Sequence, residues 1–165
     1  VLIRTATSGD VDAVVALVES ACRGEASRAG WTTEADLLAG RRTGPDEVRD
    51  LVPHLLLAFD DGVVGCCTLV PQEGAGYFGM FAVRPGLQGG GVGSALLAAA
   101  EDQARELGLP AVEMTVLRQR TELIEFYLRR GYVATGEQRP FPYGDERFGC
   151  PKREDLSFVV LRKTV

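Results

Sequence analysis

The sequence predicts an α+β fold. It reads as a mostly antiparallel, mixed central sheet of about seven strands with four helices, in the order β α α β β β α β α β β. Three observations predict it. From His54 to Val83 the apolar pattern has strand periodicity throughout, broken only by turn residues, which makes a meander. A glycine run, "LQGGGVGSALL", then leads from a strand into an amphipathic helix, and that helix is followed by another strand. Two further strands close the chain around a long loop, Arg139–Asp155. No repeat or linker divides the chain, so a single domain over residues 1–165 is expected.

The elements follow in order. Leu2–Ala6 is short and partly β-branched, a first strand. Thr7 and Asp10 have capping-box spacing, and Val11, Val14, Val15, Val18 and Cys22 follow at helical spacing. Gly24–Gly30 is a polar break. Trp31–Gly40 contains a second short helix with Thr33 as its cap, and Arg41–Asp50 is polar and carries Pro45. "HLLLAF" and "VVGCCTLV" are hairpin strands joined by the turn Asp60-Asp61-Gly62. Pro71–Gly76 is a loop. Tyr77–Val83 is a strand stopped by Arg84-Pro85-Gly86. The helix after the glycines carries an apolar stripe at 93, 96, 97, 100, 104 and 107, and Gly108 and Pro110 end it. In Ala111–Leu117, Val112, Met114 and Val116 alternate with Glu113, Thr115 and Leu117. Glu122–Arg130 is a helix closed by Gly131. Tyr132–Gln138 and Leu156–Lys163 are the last two strands.

Composition narrows the function. The chain has 165 residues, 45% hydrophobic and 25% charged, which is ordinary for a globular domain and long enough for a real core. With 18 basic and 23 acidic residues the net charge is −5, which argues against nucleic-acid binding. The acidic balance suits a cationic partner such as an amine, or serves solubility. Cysteines stand at 22, 66, 67 and 150 without a C-x-x-C, and His54 is the sole histidine, so no metal site is expected. Adjacent Cys66 and Cys67 read as small core residues on opposite faces of one strand. His54, after Pro53, reads as structural or surface. There is no signal-peptide pattern, and no stretch approaches the roughly 18 apolar residues of a membrane helix. The cytoplasm is the expected compartment.

The glycine run needs a reason. Glycines let backbone approach a ligand closely, and a helix N-terminus offers unpaired N–H donors with partial positive charge. A diphosphate fits such a place. Gln88 adds a side-chain donor and Ser94 a hydroxyl. A Walker A loop would need a lysine after Gly93, where Ser94 stands. The dinucleotide fingerprint lacks its third glycine and its repeated parallel βαβ setting. A tight connection without a ligand is the plain alternative.

These residues resemble the GNAT superfamily of N-acetyltransferases. "LQGGGVGSALL" is similar to its Q/R-x-x-G-x-G/A signature at Gln88, Gly91 and Gly93. "YFGMFAVRP" and "AVEMTVL" resemble the strands on either side of the loop and its helix. "EFYLRRGY" resembles the family's xLYxxxGF helix end, with Tyr127 and Gly131, and "LIRTATSGDVDAVVAL" its opening strand and helix. The resemblance covers essentially the whole chain. It implies direct transfer of acetyl from acetyl-CoA, without a metal, to a primary amine of a small molecule or peptide. It implies that the main chain of Phe81, Ala82 and Val83 pairs with the pantetheine arm. Gln88, Gly89, Gly90, Gly91, Val92 and Gly93, with Ser94, would hold the diphosphate. Tyr127 stands where the family places its general acid. Arg120 replaces a frequent asparagine, and Leu123 a usual alanine. Arg118 or Arg120 then meets a CoA phosphate or lies solvated on the surface. Many relatives dimerise, so a homodimer is possible.

The chemistry leaves alternatives. Tyr127 protonates the leaving thiolate, or its ring only packs against the sulfur. A base must take the amine proton: Glu113 directly or through water, Glu73, or water with the neutral amine fraction. Cysteine nucleophiles lack an activating partner. The acceptor pocket is expected from Arg23–Trp31 and from the last loop, where Phe141, Tyr143 and Phe148 with Asp145 and Glu146 line a cationic site or simply hold the loop. A non-catalytic acyl-CoA-binding sensor, or another nucleotide-phosphate binder, is the competing function.

Overall fold

The computed structural model describes residues 1–22, 38–39, 43–143, 150–152 and 155–165. Strand β1 (Leu2–Thr5) leads through a 3-10 turn (Ser8–Asp10) into helix α1 (Val11–Cys22). The predicted capping box forms: the Thr7 N–H donates to Asp10 Oδ2 at 2.8 Å. Arg4 reaches the same carboxylate with two donors at 2.9 and 3.1 Å, tying β1 to the helix start. The stripe Val11, Val14, Leu17, Val18 and Ala21 is buried.

Next come β2 (Leu38–Ala39) and helix α2 (Pro45–Leu51). The short helix expected within Trp31–Gly40 falls mainly on residues that are not described. Within that stretch, Leu38 and Ala39 are extended and pair with β8 (Cys150–Pro151). Helix α2 occupies the segment read as polar, Arg41–Asp50. Pro45 starts it at the first turn, where a missing N–H costs nothing. Asp46 and Glu47 face its positive end, and Val48 is its buried anchor.

The remaining strands are β3 (Leu55–Phe59), β4 (Val63–Gln72), β5 (Ala75–Val83), β6 (Ala111–Leu117), β7 (Val133–Pro140) and β9 (Ser157–Thr164). Helices α3 (Val92–Glu106) and α4 (Thr121–Arg129) lie between them. The seven-stranded sheet has the order β1-β3-β4-β5-β6-β9-β7. Its neighbours are antiparallel except β5 and β6, so the expected mixed sheet is found. The predicted hairpin turn forms with Asp61 and Gly62 at positive φ.

The sheet separates two cores. One joins β4, β5 and β6 to α3 and α4 through Leu96, Leu97, Val112, Met114 and Phe126. The other joins the opposite face to α1 and α2 through Val14, Val18, Val48, Leu57 and Met80. Cys66 and Cys67 fall on these two opposite sides, both fully buried. One stripe position differs from expectation. Leu107 is exposed, because the chain has left α3 by then and Gly108 turns at φ +72°. Val92, and not Gly93, packs the first turn into the core.

Two irregularities shape the site. Opposite Cys67, β5 spends two residues, Met80 and Phe81, since Cys66 pairs with Ala82 and Thr68 with Gly79. Met80 takes φ +45° at this bulge. In addition, β5 and β6 pair only at Gly76–Val112 and Tyr77–Glu113. Beyond that point the two strands no longer pair.

Candidate active site

The backbone around the glycine run is held from both ends. The Arg84 N–H bonds the Val64 carbonyl at 2.8 Å, anchoring the end of β5. Two turns follow, Leu87 N–H to Arg84 and Gly90 N–H to Leu87. Gly91 then caps α3 at φ +94°, a conformation costly for any residue with a Cβ. The first bond of the helix runs from Ala95 N–H to the Gly91 carbonyl. Val92, Gly93 and Ser94 thus present N–H groups with no intrahelical acceptor at the positive end of a 15-residue helix.

One pocket of about 570 Å³ lies here. Its walls include Phe81, Ala82 and Val83 from β5, and Gln88, Gly89, Gly91, Gly93 and Ser94 from the loop and α3. Arg120, Leu123, Phe126, Arg129 and Arg130 close it from the side of α4. Nine of the predicted donor-binding positions thus meet in one cavity. Gly90 and Val92 do not line it; the Val92 side chain is in the core. Arg118 turns the other way, donating to Ser157 Oγ and the Asp155 carbonyl. Gln88 differs from expectation in detail. Its Nε2 donates to the Val83 carbonyl at 3.1 Å, while Oε1 is buried without a partner.

The cavity fits a phosphorylated pantetheine ligand. The buried Oε1 of Gln88 is an acceptor that an amide N–H would satisfy. The helix N–H groups without intrahelical acceptors, with Arg120 and Arg129 on the wall, suit an anion. A Cβ on Gly93 would stand 2.9 Å from Phe81 Cζ, so only glycine lets the helix come this close to β5. Gly93→Ala should therefore weaken acetyl-CoA binding about tenfold by displacing the Phe81 ring into the pocket wall. Calorimetry beside a melting curve checks this, and unchanged affinity would mean that the contact does not shape the pocket.

Tyr127 is buried one layer behind this wall. Its ring is 5.4 Å from Phe126, 6.1 Å from Phe81, 6.2 Å from Phe78 and 5.9 Å from Tyr132, by centroids. Glu113 lies on β6 beside Tyr77, outside the pocket lining. Its oxygens meet Arg162 at 3.1 Å and Arg139 at 3.5 Å. The hydroxyls of Tyr77 and Thr115 bond at 2.5 Å. Glu73 is exposed at the β4–β5 turn, and His54 sits in a 3-10 turn before β3. Arg23–Trp31, Asp145, Glu146 and Phe148 lie outside the described residues. Phe141 packs under Leu117 and Leu156, and the Tyr143 hydroxyl accepts the Leu156 N–H at 2.9 Å. These two rings fasten the last loop to the sheet. Among the described residues no cluster of metal-ligating side chains occurs. No described helix is long and apolar enough to cross a membrane.

A bulge in β5 and a helix start with N–H groups lacking intrahelical acceptors thus border one cavity, on a sheet whose parallel strands β5 and β6 pair only briefly. Comparison with known proteins makes the family definite. A profile of the acetyltransferase (GNAT) family matches residues 19–132. An amino-acid acetyltransferase of Ralstonia nicotianae is 34% identical over 164 residues, covering 98% of this chain but 32% of that protein. An aminoalkylphosphonate N-acetyltransferase of Salmonella typhimurium is 33% identical over 137 residues, 79% of this chain and 83% of that protein. Among solved structures, a ribosomal-protein-alanine N-acetyltransferase from Brucella melitensis superposes with a TM-score of 0.72 at 21% identity, covering 100% of both chains. An N-acetylglutamate synthase from Neisseria gonorrhoeae, complexed with coenzyme A and N-acetyl-glutamate, gives 0.68 at 23% identity, covering 99% of this chain and 34% of that one. The chain belongs to the GNAT acetyltransferase family.

Proposed function

We propose that this domain transfers acetyl from acetyl-CoA directly to a primary amine of a small molecule or peptide. The observation that carries the reading is the single cavity joining the edge of β5, the loop Gln88–Gly93 and α4. The diphosphate lies on the N–H groups at the start of α3, and the pantetheine arm runs along Phe81–Val83 as an added strand. The thioester carbonyl then meets the bulge at Met80–Phe81. A backbone N–H there stabilises the oxyanion as the amine attacks. The new C–N bond forms, the C–S bond breaks, and CoA leaves as a thiolate that Tyr127 protonates. The amine proton departs through water. Glu113, paired with Arg139 and Arg162, is its terminal acceptor.

The acceptor enters where β5 and β6 cease to pair, beside Tyr77 and Thr115. The cytoplasm is part of this reading, on the cysteine pattern. So is a homodimer, supported by β7, an edge strand exposed along all eight residues. Calorimetric titration tests the reading. Acetyl-CoA and CoA should bind, ATP and NAD should not, and turnover should follow with an amine from a panel of amino acids, polyamines and peptides. Binding of ATP or NAD in place of CoA would overturn it. CoA binding with no acceptor and no effect of Tyr127 replacement would instead favour an acyl-CoA sensor.

A further inference from the structure

Arg130 was not singled out by any motif, yet all three of its guanidinium nitrogens are hydrogen-bonded at the pocket. Its Nε and Nη2 donate to Ser94 Oγ at 3.1 and 2.6 Å. Its Nη1 donates to the Phe126 carbonyl at 2.9 Å. Its guanidinium lies 3.7 Å above the Phe126 ring. Phe126 in turn stands 3.6 Å from where a Gly93 Cβ would be. The end of α4 is thereby fastened to the first turn of α3 at the pocket wall.

The consequence concerns Ser94. A serine hydroxyl carries two acceptor lone pairs and one donor hydrogen. Arg130 occupies both lone pairs, so the hydroxyl can act only as a donor. Ser94 is the third residue of α3 and lines the pocket beside N–H groups that lack intrahelical acceptors. We propose that Arg130 is a positioning residue that turns Ser94 into an obligate hydrogen-bond donor toward the diphosphate of the acyl donor. This rests on the placement of the diphosphate given above. Arg130 then acts on the ligand through Ser94 and not by pairing with a phosphate itself, a task left to Arg120 and Arg129 on the same wall. Without Arg130 the Ser94 hydroxyl is free to rotate and offer a lone pair to an anion, which repels it.

A double-mutant cycle on CoA affinity tests this. Ser94→Ala and Arg130→Met should each weaken CoA about tenfold, the usual worth of a hydrogen bond to a charged group. The double variant should be no weaker than the weaker single variant. Pantetheine, which has no phosphate, should bind all four proteins alike by NMR titration. Arg130→Lys should not restore affinity, because an ammonium cannot grip one oxygen with a planar pair of donors. Losses that multiply in the double variant would overturn the inference, since Arg130 would then contact the phosphate directly. A loss of pantetheine affinity equal to that of CoA would also overturn it, by showing a general collapse of the wall. Should Arg130→Met fail to fold, Ser94→Ala and Arg130→Lys carry the test. An Arg130→Lys protein as tight as the unaltered one sinks the idea. If the unaltered protein binds pantetheine but gains nothing from the phosphates of CoA, the diphosphate placement itself fails.

Discussion

Replacing Tyr127 with phenylalanine is expected to lower kcat about 100-fold while leaving the affinity for acetyl-CoA and the melting temperature close to their original values. The substitution removes one oxygen and keeps the ring. That ring is 3% exposed and touches Phe78, Phe81, Phe126 and Tyr132, so its packing survives. In the reaction proposed above, what disappears is the proton that the departing thiolate takes. Protonation matters only once the C–S bond is breaking, which is why the loss should appear in kcat and not in binding. Tyr127 stands beside Phe81 and Phe126 and is absent from the pocket lining, so the proposed proton transfer needs that wall to give way. A Tyr127→Phe enzyme with undiminished kcat would reduce the residue to a packing element and leave the thiolate to water. Tyr127→Ala separates the two roles, because it should melt much lower by emptying a site shared by four aromatic rings.

The pocket around the glycine run was legible because its signal lies in the backbone. Four of the five residues Gly89–Gly93 lack a side chain, a pattern with few other uses, and a strand before it and a helix after it set its geometry. The meander was legible from period-two alternation, and the bulge was not. Its cause is a two-against-one register around Cys67, which involves β4 and β5 at once. Local pattern also missed α2, since Pro45 reads as a breaker when it is in fact a helix start. Arg129 and Arg130 were missed for a similar reason. Two arginines before a helix-ending glycine look like an ordinary solvated end. Only the packing of α4 against the start of α3 brings them to the glycine loop. The signal that could have exposed them is that Phe126 and Arg130 stand four apart, on one face with Leu123. Glu113 shows the converse. Its alternation on β6 was right, but its partners Arg139 and Arg162 come from β7 and β9, some 26 and 49 positions further along.

The second large effect is on stability, at Glu101. This carboxylate sits on the buried side of α3 at 7% exposure, where the helical stripe would place an apolar residue. It accepts the Tyr132 hydroxyl at 3.0 Å and the Lys163 ammonium at 3.1 Å on both oxygens, with Arg105 at 3.9 Å. It therefore joins α3, the start of β7 and the end of β9 at one point. Glu101→Ala removes the common acceptor and strands a half-buried ammonium and a buried phenol together. The expected cost is about 3 kcal/mol. For a domain of this size that is a fall in Tm of about 6–12 °C. Glu101→Gln, which keeps an acceptor for Tyr132 but not the charge for Lys163, should fall between. The same cluster governs alkaline stability. Burial first, and then the Glu101 charge, push the Tyr132 phenol well above its usual range. The folded state thus holds that proton more tightly than the unfolded chain does. Its contribution is complete below the ordinary tyrosine value of about 10 and is lost as pH climbs beyond it. Melting curves from pH 8 to 11 should therefore drop steeply at the top of the range, and Tyr132→Phe should flatten the drop. A Glu101→Ala protein that melts within a degree or two of the unaltered one would show that Lys163 and Tyr132 find water when the carboxylate is gone, and that the sheet edge is held by its strand pairing instead.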